Sequence, residues 1–326
     1  MTEDAINVVP LEEADLAGLE SLFDEQCEEW LTLLKWDFTG PSRMIREVAR
    51  QHDLAGFVAM SGGAMIGFSY YVIESSRCSI GDIYVTKSWR ECGADGLMLA
   101  ALLNRIERAP RVQRIESQCV MVGNSAAAEL FEARGFTRYD RNYMMLDLGE
   151  LNLDEAQSRA THRLSGGLAD VSIRQWDEDD FAQAARVIHR SYKEQPDSRI
   201  NSQYATEEGC AELLTILTDH IWCGEFLPQA SRVAIRRNTR NLIGVLIASK
   251  LAAGAGHIGQ ISIHPSYQGM GLGRRMISSA LAEFQRRGFN TASLAVTTAN
   301  ASALHLYESC GFRTVHTFPV FYRERR

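Results

Sequence analysis

The run Gln268-Gly269-Met270-Gly271-Leu272-Gly273-Arg274 carries the sharpest chemistry in the chain. It follows an apolar alternation over residues 258–263 and Pro265. It leads into a helical pattern in which Met276, Ile277, Ala280, Leu281 and Phe284 share one face. Glycines at a strand-to-helix turn let the backbone come close to an anion, and the first amides of the helix point at it with the positive end of the dipole behind them. A pyrophosphate suits such a turn. The dinucleotide-binding spacing G-x-G-x-x-G is not met, because Gly269, Gly271 and Gly273 alternate and no acidic ribose partner follows at the usual distance. The P-loop pattern fails for want of its Lys and Ser/Thr. On the glycines alone, a tight turn without a ligand stays open as the structural alternative.

The elements that must position this turn follow from periodicity. Residues 171–174 form a first strand, and Asp177 to Asp180 supply the N-cap and first-turn acids of a helix running to about Tyr192. A second helix covers about residues 207–220. Strands over 231–235 and 242–249, separated by the polar turn 237–241, make a hairpin. The strand 258–263, the Gly-rich turn and its helix come next, and Gly288 stops that helix. A strand over 291–296, a helix over 301–309 and two closing strands complete the segment. Helices alternate with strands, which predicts an α/β fold.

The whole pattern occurs twice. Ile80-Gly81-Asp82-Ile83-Tyr84-Val85, then Ser88, Trp89, Arg90 and Gly93, returns 178 residues later as Ile258-Gly259-Gln260-Ile261-Ser262-Ile263, Ser266, Tyr267, Gln268 and Gly271. Asn124, Ala127, Leu130, Phe131, Glu132, Gly135 and Phe136 return 176 residues later as Asn300, Ala303, Leu306, Tyr307, Glu308, Gly311 and Phe312. Tandem copies of one domain explain both offsets. The domains are read as residues 1–150 and 171–326. A polar linker over 151–170, containing Ser165-Gly166-Gly167 and a short helix near residues 154–163, joins them.

In these motifs the chain resembles the GNAT superfamily of N-acetyltransferases. Gln268, Gly271 and Gly273 satisfy its acetyl-CoA signature [QR]-x-x-G-x-[GA]. Asn300, Ala303, Leu306, Tyr307, Gly311 and Phe312 match its second landmark, an Asn before a helix that ends Leu-Tyr-x-x-x-Gly-Phe. The resemblance is strong over residues 171–326 and weaker over 5–148. It implies a mixed, mostly antiparallel sheet flanked by helices in each copy, splayed between its fourth and fifth strands. It further implies that Ile261, Ser262 and Ile263 hold the pantetheine arm and acetyl group. The amides from Gln268 through Gly269, Met270, Gly271, Leu272 and Gly273 to Arg274 hold the pyrophosphate, and Asn300, Ala303 and Tyr307 line the thiol end. Tyr307 is then the general acid, and the backbone amide of Ile263 the oxyanion donor. Family members that use a Glu on the fifth strand as general base have Ala295 at the matching position here. The candidates left are His264, Glu225 and Tyr267, or solvent; His305 reads as a surface or core residue.

The first copy departs from the signature. Glu91 replaces Gly269, Asp95 replaces Gly273 and Phe131 replaces Tyr307. A carboxylate ~4 Å from a phosphate costs on the order of 4 kcal/mol at an effective dielectric near 20. Residues 1–150 hold 14 Lys+Arg against 24 Asp+Glu, net −10, while residues 151–326 hold 20 against 17, net +3. The first copy therefore reads as degenerate, shaping the amine site or stabilising the second, an arrangement similar to mycothiol synthase. The expected activity is acetyl transfer to a primary amine, a small molecule in preference to a protein. A silent acetyl-CoA-binding sensor and a protein N-terminal or lysine acetyltransferase are the alternatives.

Composition sets the outer limits. The 326 residues are 45% hydrophobic, enough for two packed cores, which excludes disorder as the theme. A net charge of −7 with no long Lys/Arg block excludes a general nucleic-acid binder; the tail Arg323-Glu324-Arg325-Arg326 is too short to change that. The longest apolar stretch, residues 243–248, is strand-length, and no signal peptide or membrane span is expected. Seven scattered cysteines without a C-x-x-C pair are read as reduced thiols with no metal, in the cytoplasm.

Overall fold

The computed structural model of the chain describes residues 5–150, 168–219 and 221–325. The helix expected near residues 154–163 and the Ser165-Gly166-Gly167 stretch of the linker lie outside them. The chain divides into two compact units, one of Met1–Leu33, Phe38–Arg141 and Phe318–Arg326, the other of Leu34–Asp37 and Asn142–Thr317. Among the described residues no helix is long and apolar enough to cross a membrane.

The first unit holds β1 (Asn7–Pro10), α1 (Leu16–Leu34), α2 (Thr39–Arg50), β2 (Gly56–Ser61), β3 (Ala64–Glu74), β4 (Arg77–Val85), α3 (Ala94–Ile106), β5 (Arg114–Ser117) and α4 (Ser125–Ala133). β1 to β4 pair antiparallel in chain order, and β5 joins β4 in parallel. Met98, Leu99, Leu102 and Leu103 fall on one face of α3 and are fully buried on the sheet. The strand beyond β5 is not the next one in sequence. That next strand, β6 (Thr137–Asp147), leaves this unit after Arg141, and the place beside β5 is taken by the end of the chain's last strand, where Phe321 to Glu324 oppose Ser117 to Arg114. Phe321 stacks on Phe131 with ring centroids 4.4 Å apart.

The second unit repeats the plan with β7 (Val171–Gln175), α5 (Phe181–Tyr192), α6 (Glu207–Asp219), β8 (Glu225–Phe226), β9 (Arg232–Arg236), β10 (Leu242–Ala252), β11 (Ala255–Ile263), α7 (Leu272–Arg286), β12 (Thr291–Thr297), α8 (Ala301–Ser309) and β13 (Arg313–Glu324). Its sheet runs β7-β9-β10-β11-β12-β6, with β8 also against β10. Asp177 and Asp180 form a reciprocal capping box that starts the turn leading into α5. The apolar face of α7 is buried as its spacing predicts, with Met276, Ile277, Ala280, Leu281 and Phe284 all at most 2% exposed. Gly256 beneath it has no room for a side chain, since a Cβ there meets the Phe284 ring at 2.8 Å. One feature differs from expectation. Residues 313–324 form one long strand and not two, running unbroken through Pro319.

Candidate active site

β11 and β12 are parallel and pair only from Ala255↔Thr291 to Ile258↔Leu294, after which they part. The cause lies in β11 itself. Its register against β10 shifts at Ile247/Ala248, leaving Gly259 without a partner, and such a bulge bends and twists its strand. Beyond the bulge the His264 N–H donates to the Ile243 carbonyl at 2.8 Å. Alternation along an antiparallel pair then turns the backbone groups of Ile261 and Ile263 away from β10 and into the gap. Gln268 Nε2 takes up the Ile263 carbonyl at 2.9 Å, while the same alternation leaves the Ile263 N–H facing the cleft.

The cleft ends on the Gly-rich turn. Gly269 and Gly271 have φ of +74° and +84°, a conformation that side chains disfavour, and Gly271 caps α7. The first bond of that helix runs from the Arg275 N–H to the Gly271 carbonyl at 3.2 Å, so the amides of Leu272, Gly273 and Arg274 have no acceptor within the helix. Gly273 lets α7 approach α8, because a Cβ there would sit 3.1 Å from Leu306. Arg274 spends its guanidinium on the Ser309 carbonyl and hydroxyl at 2.8 and 2.5 Å, which leaves its backbone amide as its contribution to the turn.

Between β11, this turn, α8 and the end of α5 lies a cavity of about 510 Å³. Of the residues expected at the site, all but Met270, His264 and Glu225 line it. Met270 packs inward against the core. Tyr307 is 7% exposed, and burial, with Tyr192 and Asp197 adding to it, holds its hydroxyl far above the ordinary tyrosine range. It therefore keeps its proton. Asn300 caps α8 through Oδ1, which accepts from the Ala303 N–H at 3.2 Å. His305 lies on the exposed rim of the cavity.

The expected bases are dispersed. His264 lines a neighbouring cavity, its Nδ1 accepting from the Ser266 N–H at 3.3 Å, and burial followed by the Arg190 charge lowers its pKa. Glu225 is exposed on β8 and pairs with Lys250. Tyr267 borders both cavities and accepts a hydrogen bond from Arg236 at 2.7 Å.

Sequence reasoning missed the wall opposite Tyr307. Ser191 and Tyr192, from the end of α5, and Gln195, just beyond it, line the cavity. The Tyr192 and Tyr204 rings stack 3.9 Å apart, and Gln260 joins their hydroxyls, donating to Tyr192 at 3.0 Å and accepting from Tyr204 at 3.1 Å. Gln260 also donates to the Ser262 hydroxyl at 2.9 Å. A polar residue amid the apolar strand 258–263 was the available signal.

The first copy keeps the cleft's frame and fills it. Gly93 matches Gly271 at φ +82°, and Glu91 holds φ +65° where the second copy has Gly269. Asp95 does not stand against the turn as a repelling charge, as its sequence position suggests. It is 4% exposed, and its carboxylate accepts from the Ala127 N–H at 2.8 Å, capping α4. Asn124, relieved of that task, donates across the gap to the Ile83 carbonyl, the counterpart of Ile261. Phe131, where the second copy has Tyr307, is wholly buried between Phe136 and Phe321.

A sequence model of the acetyltransferase (GNAT) family matches residues 18–136 and 192–312, well over half of the chain and once in each copy. A stretch of 52 residues is 44% identical to the [ribosomal protein bS18]-alanine N-acetyltransferase of Escherichia coli (strain K12), covering 16% of this chain and 35% of that protein. Another of 68 residues is 40% identical to the mycothiol acetyltransferase of Thermobispora bispora, covering 21% and 23%. The matches thus span about a third or less of these relatives' length. Among solved structures, a GCN5-related N-acetyltransferase from Sphaerobacter thermophilus superposes with a TM-score of 0.64 at 15% identity over 98% of this chain and 95% of that one. A tandem GNAT protein from the clavulanic acid biosynthesis pathway does so with a TM-score of 0.57 at 15% identity over 98% of both. These two likenesses show the fold.

Proposed function

The chain belongs to the acetyltransferase (GNAT) family, and on that footing we propose that its second copy acetylates a primary amine at the expense of acetyl-CoA, while its first copy binds no acyl-CoA. The observation that carries the reading is the juxtaposition of three features in one cleft. These are the open backbone of Ile261 with the N–H of Ile263, the unpaired amides of Leu272 to Arg274, and the protonated hydroxyl of Tyr307. They fit the three parts of the molecule in order, namely a pantetheine with amide groups, a pyrophosphate and a thioester.

Acetyl-CoA supplies an activated acetyl group when bound. The chain's own residues do the rest. The amides of the turn, backed by the α7 dipole, neutralise the pyrophosphate without a side-chain cation, and the Ile261 backbone aligns the extended arm as an added strand would. The Ile263 N–H stabilises negative charge that develops on the acyl oxygen. Tyr307 holds a proton for the departing sulfur.

The cavity's lining carries no carboxylate among the described residues, and its imidazole, His305, stands at the rim. The amine must then arrive neutral or lose its proton to water held by the Tyr192–Gln260–Ser262 wall. In the first copy, the Asp95 cap and the Asn124 bridge occupy the equivalent space, which supports silence there.

The relatives bracket the acceptor, one acting on a protein's alanine and the other named for mycothiol. We place the acceptor among small-molecule primary amines. The test measures CoA release from acetyl-CoA across a panel of small amines and peptides. Turnover with amines confirms the reading, turnover with peptides alone moves the acceptor to proteins, and acetyl-CoA binding without turnover on any member makes the protein a sensor.

A further inference from the structure

We propose that the second unit carries another binding site, an arginine-lined cavity that takes a phosphate-class anion. The cavity, about 720 Å³, lies between α5, the β9–β10 turn and the segment that follows β11. Arg186 and Arg190 enter it from α5, Arg236 and Arg240 from the hairpin, and His264 and Tyr267 from the segment after β11. Four arginines thus line one space. Asp170 pairs with Arg236 at 2.7 Å, and no carboxylate lines the cavity or pairs with Arg186, Arg190 or Arg240 among the described residues. Arg190 lies close enough to His264 to help keep that imidazole neutral.

Two local costs coincide here. Arg186 and Arg190 are like charges at i and i+4 on one helix, a spacing that destabilises the helix. Arg240 adopts φ +57°, a backbone conformation that favours glycine, although a charged residue with a long side chain occupies it. Arg236 Nη1 is directed at the Tyr267 hydroxyl and so is held at the cavity's edge. An arrangement that is unfavourable alone at several positions becomes favourable when an anion with several acceptor oxygens joins the guanidinium groups. Phosphate or a phosphorylated small molecule has that chemistry, as has the phosphate on the ribose of CoA.

The cavity adjoins the Gly-rich turn through Tyr267, and the choice between these two sources rests on the reading that the turn binds acetyl-CoA. The existence of the site does not. Inorganic pyrophosphate is titrated calorimetrically into the full chain, alone and saturated with CoA or with 3′-dephospho-CoA. Pyrophosphate binding to the CoA-saturated chain supports a free anion. Binding that persists with dephospho-CoA but is lost with CoA supports the phosphate of CoA itself. A Gly271→Glu variant, whose turn cannot cradle an anion, should still bind pyrophosphate, so failure of the acetyl-CoA reading leaves this one standing.

Loss of a charge-assisted contact weakens binding by about tenfold or more, so Arg186→Gln/Arg190→Gln should lower pyrophosphate affinity at least that far. Arg240→Gly should weaken it likewise while relieving its own backbone, which separates lost recognition from lost folding. Unaltered affinity in both variants, or no pyrophosphate binding to any form of the chain, overturns the proposal.

Discussion

Replacing Asp82 with Asn should stabilise the first unit, and by an amount that depends on pH. Asp82 occupies on β4 the place that Gln260 holds on β11, and it is 5% exposed. Burial raises its pKa from 3.8 to about 6, although hydrogen bonds from Gln26 and Tyr70 pull the other way. A carboxyl whose folded pKa exceeds its unfolded one costs nothing below pH 3.8, where both states are protonated. Between pH 3.8 and 6 the folded state holds the extra proton, so stability falls as pH rises, and above pH 6 the full cost is in place. About two pK units correspond to roughly 3 kcal/mol.

Asn removes that charge. Its amide oxygen keeps an acceptor for Gln26 and Tyr70. Calorimetry of the full chain at pH 7.5 should show the transition of the first unit, or the single one, rise by about 6–12 °C, since 1 kcal/mol moves a domain of this size by roughly 2–4 °C. At pH 3.5 the variant and the parent should melt within a degree or two. A gain of equal size at both pH values, or a loss at pH 7.5, refutes the assignment of the cost to a buried charge.

Tyr307→Phe should lower kcat by about a hundredfold with KM little changed, in line with the loss of a general acid; full turnover near neutral pH would remove Tyr307 from the proton path. Because burial holds that hydroxyl so high, the rate of the parent should climb as the acceptor loses its proton and show no decline through pH 10, which a pH–rate profile checks. Gly271→Glu should abolish acetyl-CoA binding by calorimetry, and unchanged affinity would mean that the pyrophosphate lies elsewhere. Glu91→Gly should stabilise the chain by up to about 1 kcal/mol through relief of its left-handed backbone, and a lower melting temperature would count against that reading.

How much of this was legible in the sequence depended on range. The Gly-rich turn, the Asn300 cap and the α8 face carrying Tyr307 are set by residues within a few positions of one another, and their spacing sufficed. The splay between β11 and β12 followed from the family resemblance alone; its cause, the bulge at Gly259, left no signal in the sequence beyond the repeat of Gly81. The Tyr192–Gln260–Tyr204 wall joins residues 56 and 68 positions apart and leaves no periodic trace. The role of Asp95 was misjudged because a carboxylate beside an anion-binding turn reads as repulsion, whereas the Ala127 amide it caps lies 32 residues on. The destination of the last strand was invisible for another reason. Phe318, Val320 and Phe321 would be buried by any sheet that received them, so their apolar character does not say which one does.

That last strand has a consequence for synthesis. The first unit cannot be finished when its own repeat has been translated, because the strand that covers β5 begins about 200 residues later. At 5–20 residues per second the ribosome needs roughly 10–40 s to reach it. Through that interval β5 is a bare edge, the kind of template on which chains misassociate. The charged pair Arg114 and Glu116 on that strand, joined in the finished protein, is suited to guard it while it waits.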